Sequence, residues 1–159
     1  MSDRVPMTQT GYDKLAAQLK EMREEQEPML LKRVADARSE GDLSENAEYH
    51  GARESLSHLQ ARMAVVSDKL AKAQIIDPSK IDKSQVAFGA TVTLKDLEYD
   101  DEEVYTLVGA GEEDYDTGKI LVTSPLAQGL LGAKVGDTVD VEIPAGNVKF
   151  EVLKIEYDL

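Results

Sequence analysis

Apolar residues recur at helical spacing through the first half of the chain and at alternating spacing through the second. Leu15, Leu19, Met22, Gln26 and Met29 step by four and three, a heptad seam with one polar member. Pro28 falls inside it, and beyond that residue Leu30, Val34 and Ala37 resume the pattern one position out of phase. A proline removes a ladder bond and crowds the carbonyl four residues back, so this reads as a kink within one helix. That helix runs from about residue 9 to 40, on the order of 45 Å, with Thr8 or Thr10 as its cap and Gly41 as its breaker. The second stripe is cleaner: Ala52, Leu56, Leu59, Met63, Val66, Leu70 and Ala73 keep the four-three step without a miss. Only a short loop separates the stripes, so the two helices are each other's natural partners in an antiparallel coiled-coil hairpin.

Asp77, Pro78 and Ser79 end the helical half. Val92 and Leu94, Val104–Val108, Ile120–Val122, and Val139, Val141 and Ile143 then read as short strands. Pro144–Asn147 is a turn, and Val148, Phe150 and Val152 alternate after it. The phase then slips to Leu153, Ile155 and Tyr157, which signals a β-bulge. One helix interrupts the strands, with Ser124 as N-cap, Pro125 in its first position and Gly132 at its end. The expected class is α+β: an N-terminal helical hairpin over residues 1–76, a linker at 77–83, and a small antiparallel-sheet domain with one helix at 84–159.

The chain has 159 residues and a formal net charge of −13. Residues 1–76 hold 13 acids and 11 bases, whereas residues 77–159 hold 18 and 7. The second half should therefore repel bare nucleic acid and anionic membrane, which disfavours a stand-alone DNA-binding domain. There is no cysteine, so disulfides, thiolate zinc and thiol catalysis are excluded, and two histidines are too few for a histidine-rich metal site. No secretory signal or membrane-length apolar run is visible, so the chain reads as cytosolic and free of membrane. The acidic runs 98–103 and 112–116 lack the spacing of a calcium loop and read as solvated turns.

Between the two stripes lie Glu40, Asp42, Glu45 and Glu48, an acidic group at 40–48 with no Lys or Arg from residue 40 to 51. Arg38 and Arg53 bracket it. Asp42 and Glu45 have the spacing of a capping box. Capping is the plainer reading of that spacing, but carboxylates left free would also suit a hard cation such as magnesium, which keeps several waters and takes one or two carboxylates. Both readings stand on the pattern alone.

The stretch Ala37–His50 with Ala52–Glu54 resembles the Gre family of bacterial transcript-cleavage factors, and most of all its GreA type. The similarity extends to Val5–Thr8, Gln74–Asp77, Phe88–Thr93, Ser124–Ala127, Leu130–Gly132 and Val135–Asp137. It implies an N-terminal coiled coil, an FKBP-like C-terminal domain, and RNA polymerase as partner. In that reading the C-terminal domain docks at the rim of the polymerase secondary channel through Ser124, Pro125 and Leu126. The hairpin enters the channel, and Asp42 and Glu45 serve Mg2+ at the polymerase active site during cleavage of backtracked RNA. Arg38 and Arg53 face the RNA 3′ segment, or pair with the acids beside them. The factor is expected to be no enzyme on its own, to carry no cofactor of its own, and to be a monomer when free. Two other classes remain open: a channel-blocking paralogue without cleavage activity, and a chaperone or prolyl isomerase. The second finds little support in a domain with only Phe88 and Phe150 beyond its tyrosines.

Overall fold

Leu15, Leu19 and Met22 bury one stripe of the first helix, and the chain then has to carry Pro28 without losing that stripe. The computed structural model, which describes residues 4–41 and 46–157, shows how this is done. Helix α1 (Gln9–Glu21) passes into a π turn at Met22–Gln26 and on into α2 (Glu27–Arg38). The Glu27 N–H bonds to the Met22 carbonyl, five residues back rather than four. A π turn inserts one extra residue into the helix. That insertion accounts for the one-position phase slip, so the expected kink is a bulge. The stripe that resumes at Leu30 is the buried one: Leu30 is 9% exposed, whereas Met29, the last member of the earlier phase, is 60% exposed.

Helix α3 (Ala47–Ala71) returns alongside. Met22, Leu30 and Leu59 form the apolar contact, with Leu56, Met63 and Val66 packed around them. Arg33 meets Glu48 at 3.2 Å and Gln60 donates to Glu27 at 3.2 Å. Positions falling along α2 thus meet positions rising along α3, which makes the pair antiparallel. The heptads of α3 behave as their spacing predicts. The helix ends at Ala71, ahead of Pro78, because Ala73–Ile75 leaves it to form a strand, β2.

The chain divides into two compact units, one of Tyr12–Ala73 and one of Arg4–Gly11 with the chain from Gln74 onward. The amino-terminal residues belong to the second because β1 (Val5–Met7) pairs with β2, the Ile76 N–H bonding to the Met7 carbonyl at 2.9 Å. Gly109 allows β1 to lie close: a Cβ there would fall 2.6 Å from the Met7 Cα. Thr8 caps α1, accepting from the Gly11 N–H at 3.0 Å, and its hydroxyl also donates to Glu112.

The second unit is built on a five-stranded sheet in the order β5-β4-β3-β7-β6. Its strands are β3 (Ala90–Asp96), β4 (Glu102–Val108), β5 (Lys119–Leu121), β6 (Thr138–Ile143) and β7 (Gly146–Tyr157). Every pairing is antiparallel except that of β4 with β5, a short parallel edge. The bulge stands where the phase slip puts it. Thr93 faces Lys154 and Leu94 faces Val152, which leaves Leu153 as the extra residue. Helix α4 (Pro125–Leu130) covers the sheet, with Ala127 and Leu130 in a core that includes Val92, Leu94, Leu107, Val141 and Val152. Gly132 follows it with φ +86°, the left-handed turn expected after a helix end.

The phase slip yields a direct check. Leu30→Ala should cost about 2–5 kcal/mol, as for a buried leucine. Met29→Ala should cost less than about 0.5 kcal/mol. Denaturant unfolding of the two variants measures both, and equal costs would remove the bulge as the reason for the register.

Candidate functional site

The acids that the sequence singles out first, Asp42 and Glu45, lie outside the described residues. What the structure describes is the pair of helix ends on either side of them. A helix leaves its last carbonyls and its first N–H groups without partners. Asn46 serves both ends here. Its side-chain oxygen accepts from the Tyr49 N–H at 3.0 Å, which caps α3. Its side-chain nitrogen donates to the Ala37 carbonyl at 2.6 Å, in the last turn of α2. The N-cap of α3 is therefore Asn46, and the capping-box reading of Asp42 and Glu45 is not needed to start that helix. Ser39 closes α2 further, its hydroxyl donating to the Asp36 carbonyl at 2.7 Å.

Glu48 is neutralised from across the hairpin by Arg33, an exposed pair worth little by itself. Arg38 and Arg53 take a different partner. Arg38 Nη2 and Arg53 Nη1 each donate to the Tyr49 hydroxyl at 3.4 Å. Their guanidinium carbons lie 5.8 and 5.7 Å from the centre of the same ring, within cation–π range. His50 meets that ring edge to face, with centroids 5.4 Å apart. Tyr49 is only 5% exposed. The hydrogen bond from Arg38 lowers the phenol below its ordinary range; burial opposes this, and the bond from Arg53 reinforces it.

On the globular unit, Ser124 caps α4 by accepting from the Ala127 N–H at 3.3 Å. Pro125 is exposed, and Leu126 packs against the core. Phe150 is buried in that core. A cavity of about 270 Å³ on this unit has Phe88 as its one aromatic lining residue among those described, a poor start for an isomerase groove. Among the described residues no group of three or more acids or histidines is placed to hold a metal ion. No helix among them is long and apolar enough to cross a membrane.

Asn46 and Tyr49 are the residues that the sequence reading missed. Each carried a signal: an Asn one position before a helical run is a cap candidate, and Tyr49 stands four positions before Arg53, on one helix face. The third member, Arg38, comes from the other helix and is visible only in three dimensions.

Residues 5–75 match the family described as "Transcription elongation factor, N-terminal". Residues 81–157 match "Transcription elongation factor, GreA/GreB, C-term". Transcription elongation factor GreA of Beijerinckia indica is 45% identical over 155 residues, covering 98% of this chain and 99% of that one. Its counterpart in Thermodesulfovibrio yellowstonii is 44% identical over 158 residues, covering 99% of this chain and all of its own. A solved structure, GreA factor homolog 1 (Gfh1) of Thermus thermophilus, is 26% identical and covers 96% of this chain and 99% of that one, at a TM-score of 0.47. The chain belongs to the Gre family of transcription elongation factors, and within it to the GreA type.

Asn46 can be tested by separating its two bonds. Asn46→Ala loses both and should cost about 1–3 kcal/mol, an N-cap and a second hydrogen bond together. Asn46→Asp keeps an oxygen for the Tyr49 N–H but cannot donate to Ala37, and should cost about half as much. Chemical denaturation compares them, and an alanine variant as stable as wild type would contradict the assignment.

Proposed function

We propose that this chain binds bacterial RNA polymerase and stimulates the polymerase's own cleavage of backtracked RNA. The globular unit docks at the rim of the secondary channel, with Ser124, Pro125 and Leu126 in the contact. The hairpin enters the channel and brings Asp42 and Glu45 to the active site, where they help to hold Mg2+. The chain carries no reaction alone; it lends carboxylates to a site that has the substrate. Two-metal phosphoryl chemistry explains the need, since one ion activates the attacking water and the other steadies the leaving oxygen. The observation that carries this reading is the match of both halves, in order and over nearly the full length, to GreA-type factors. The cap at Asn46 supports it. Asn46, not Asp42, is the N-cap of α3.

The test separates charge from fold. Asp42→Asn removes one negative charge, a weaker ligand for a hard divalent ion. It should melt like wild type and compete with wild type for polymerase. It should lose most cleavage of stalled complexes, and raised magnesium should restore part of the activity by mass action. Wild-type cleavage by Asp42→Asn at low magnesium would defeat the proposal.

A further inference from the structure

We propose that Tyr49 is a positioning residue that holds Arg38 and Arg53 together as a paired cation for a backbone phosphate of the RNA 3′ segment. This rests on the function proposed above. The two arginines come from opposite helices, one at the end of α2 and one near the start of α3. Both arginines donate to one hydroxyl at 3.4 Å, so the two donor nitrogens stand within about 7 Å of each other, inside the ~8 Å screening length of physiological salt. Two like charges at that separation repel unless something holds them. Tyr49 supplies two attractions, a hydroxyl oxygen that accepts from both and a ring that attracts both.

The choice of a neutral partner is the informative feature. The chain carries 31 acids against 18 bases, so a carboxylate is the expected partner for any arginine. Among the described residues neither Arg38 nor Arg53 has one within ion-pair distance. Glu48, five positions before Arg53, is engaged with Arg33 across the hairpin. A carboxylate would cancel the charge that a phosphate needs. A phenol fixes the side chains and leaves the charge in place. Each guanidinium has five N–H donors and gives one to Tyr49. Both side chains are on exposed residues, so the remaining donors can form the forked pair that suits a phosphate. Tyr49 itself is buried and set edge-on against His50, so its own position is fixed by packing.

The full-length protein allows the hydroxyl and the ring to be removed separately. Tyr49→Phe keeps the volume and the ring but loses the shared acceptor; Tyr49→Leu loses both. In cleavage of stalled complexes, Tyr49→Phe should lower the rate at saturating factor about fivefold, while the half-saturating concentration is unchanged. Tyr49→Leu should lower it about twentyfold. In a chain already carrying Arg38→Ala and Arg53→Ala, Tyr49→Phe should have no further effect. A wild-type rate for Tyr49→Phe, or an equal fall in the doubly substituted chain, would overturn the proposal. A second readout needs no activity: in the free protein the ring should shift the side-chain NMR signals of both arginines upfield, and Tyr49→Leu should return them to the free position. Unshifted signals in wild type would overturn the arrangement whatever the cleavage result. Asp42→Asn, run beside these variants, reports on the acid mechanism separately, because its cleavage can persist or fail independently of Tyr49.

Discussion

One side chain joins the two helices at the end of the hairpin. Asn46 donates to the last turn of α2 and accepts from the first turn of α3, so a single residue closes both helix ends. Only a side-chain amide can do both, because a carboxylate has no proton to give and a hydroxyl has less reach. Residues 42–45 are the connection between those ends. If they are to present carboxylates to a partner, the ends must not splay, and a bond of 2.6 Å across the hairpin opposes that motion. Tyr49, whose N–H completes the cap, also holds Arg38 of α2 and Arg53 of α3 on its ring and hydroxyl. The two contacts therefore work in series. The backbone of Tyr49 fixes α3 to Asn46, and its side chain ties both helices again through the arginines.

Farther from that end the apolar seam provides the stiffness. A proline in the middle of a long helix would ordinarily bend it and lose the seam. Here a π turn takes up the proline and moves the burial pattern by one residue, so Leu30 and Leu59 share one apolar cluster. Charge is divided to match. The hairpin half is nearly balanced and the globular half strongly acidic. If the hairpin works beside an RNA 3′ end as proposed, near-neutrality suits it, and among the described residues Arg38 and Arg53 have no carboxylate within ion-pair distance.

What could be read from the sequence follows the range of the interactions. The α3 heptads, the cap at Ser124, the stop at Gly132 and the bulge at Leu153 all rest on residues close in sequence, and each stands in the structure where the pattern puts it. Pro28 announced a disruption but not its form, because a kink and a π turn differ in a backbone bond that no residue type specifies. Met29, the last member of the earlier phase, is exposed for that reason, and Leu30, which opens the shifted phase, is buried. At the start of α3 several good capping residues precede the same apolar run, and sequence alone does not pick out Asn46, which caps the helix and also donates to the Ala37 carbonyl. The parallel edge at β5 is three residues long, too short to carry a directional signal. The pairing of Arg38 with Tyr49 crosses the hairpin, so only the folded chain reveals it.

On the function proposed above, residues 40–48 of this chain stand beside the catalytic magnesium of RNA polymerase. Replacing that ion with Fe2+ generates hydroxyl radicals that cut only polypeptide close to it. In a complex with end-labelled factor, the account predicts cuts in this chain confined to the neighbourhood of residues 40–48. Cuts in the globular unit, or no cut in a factor that remains bound, would contradict it.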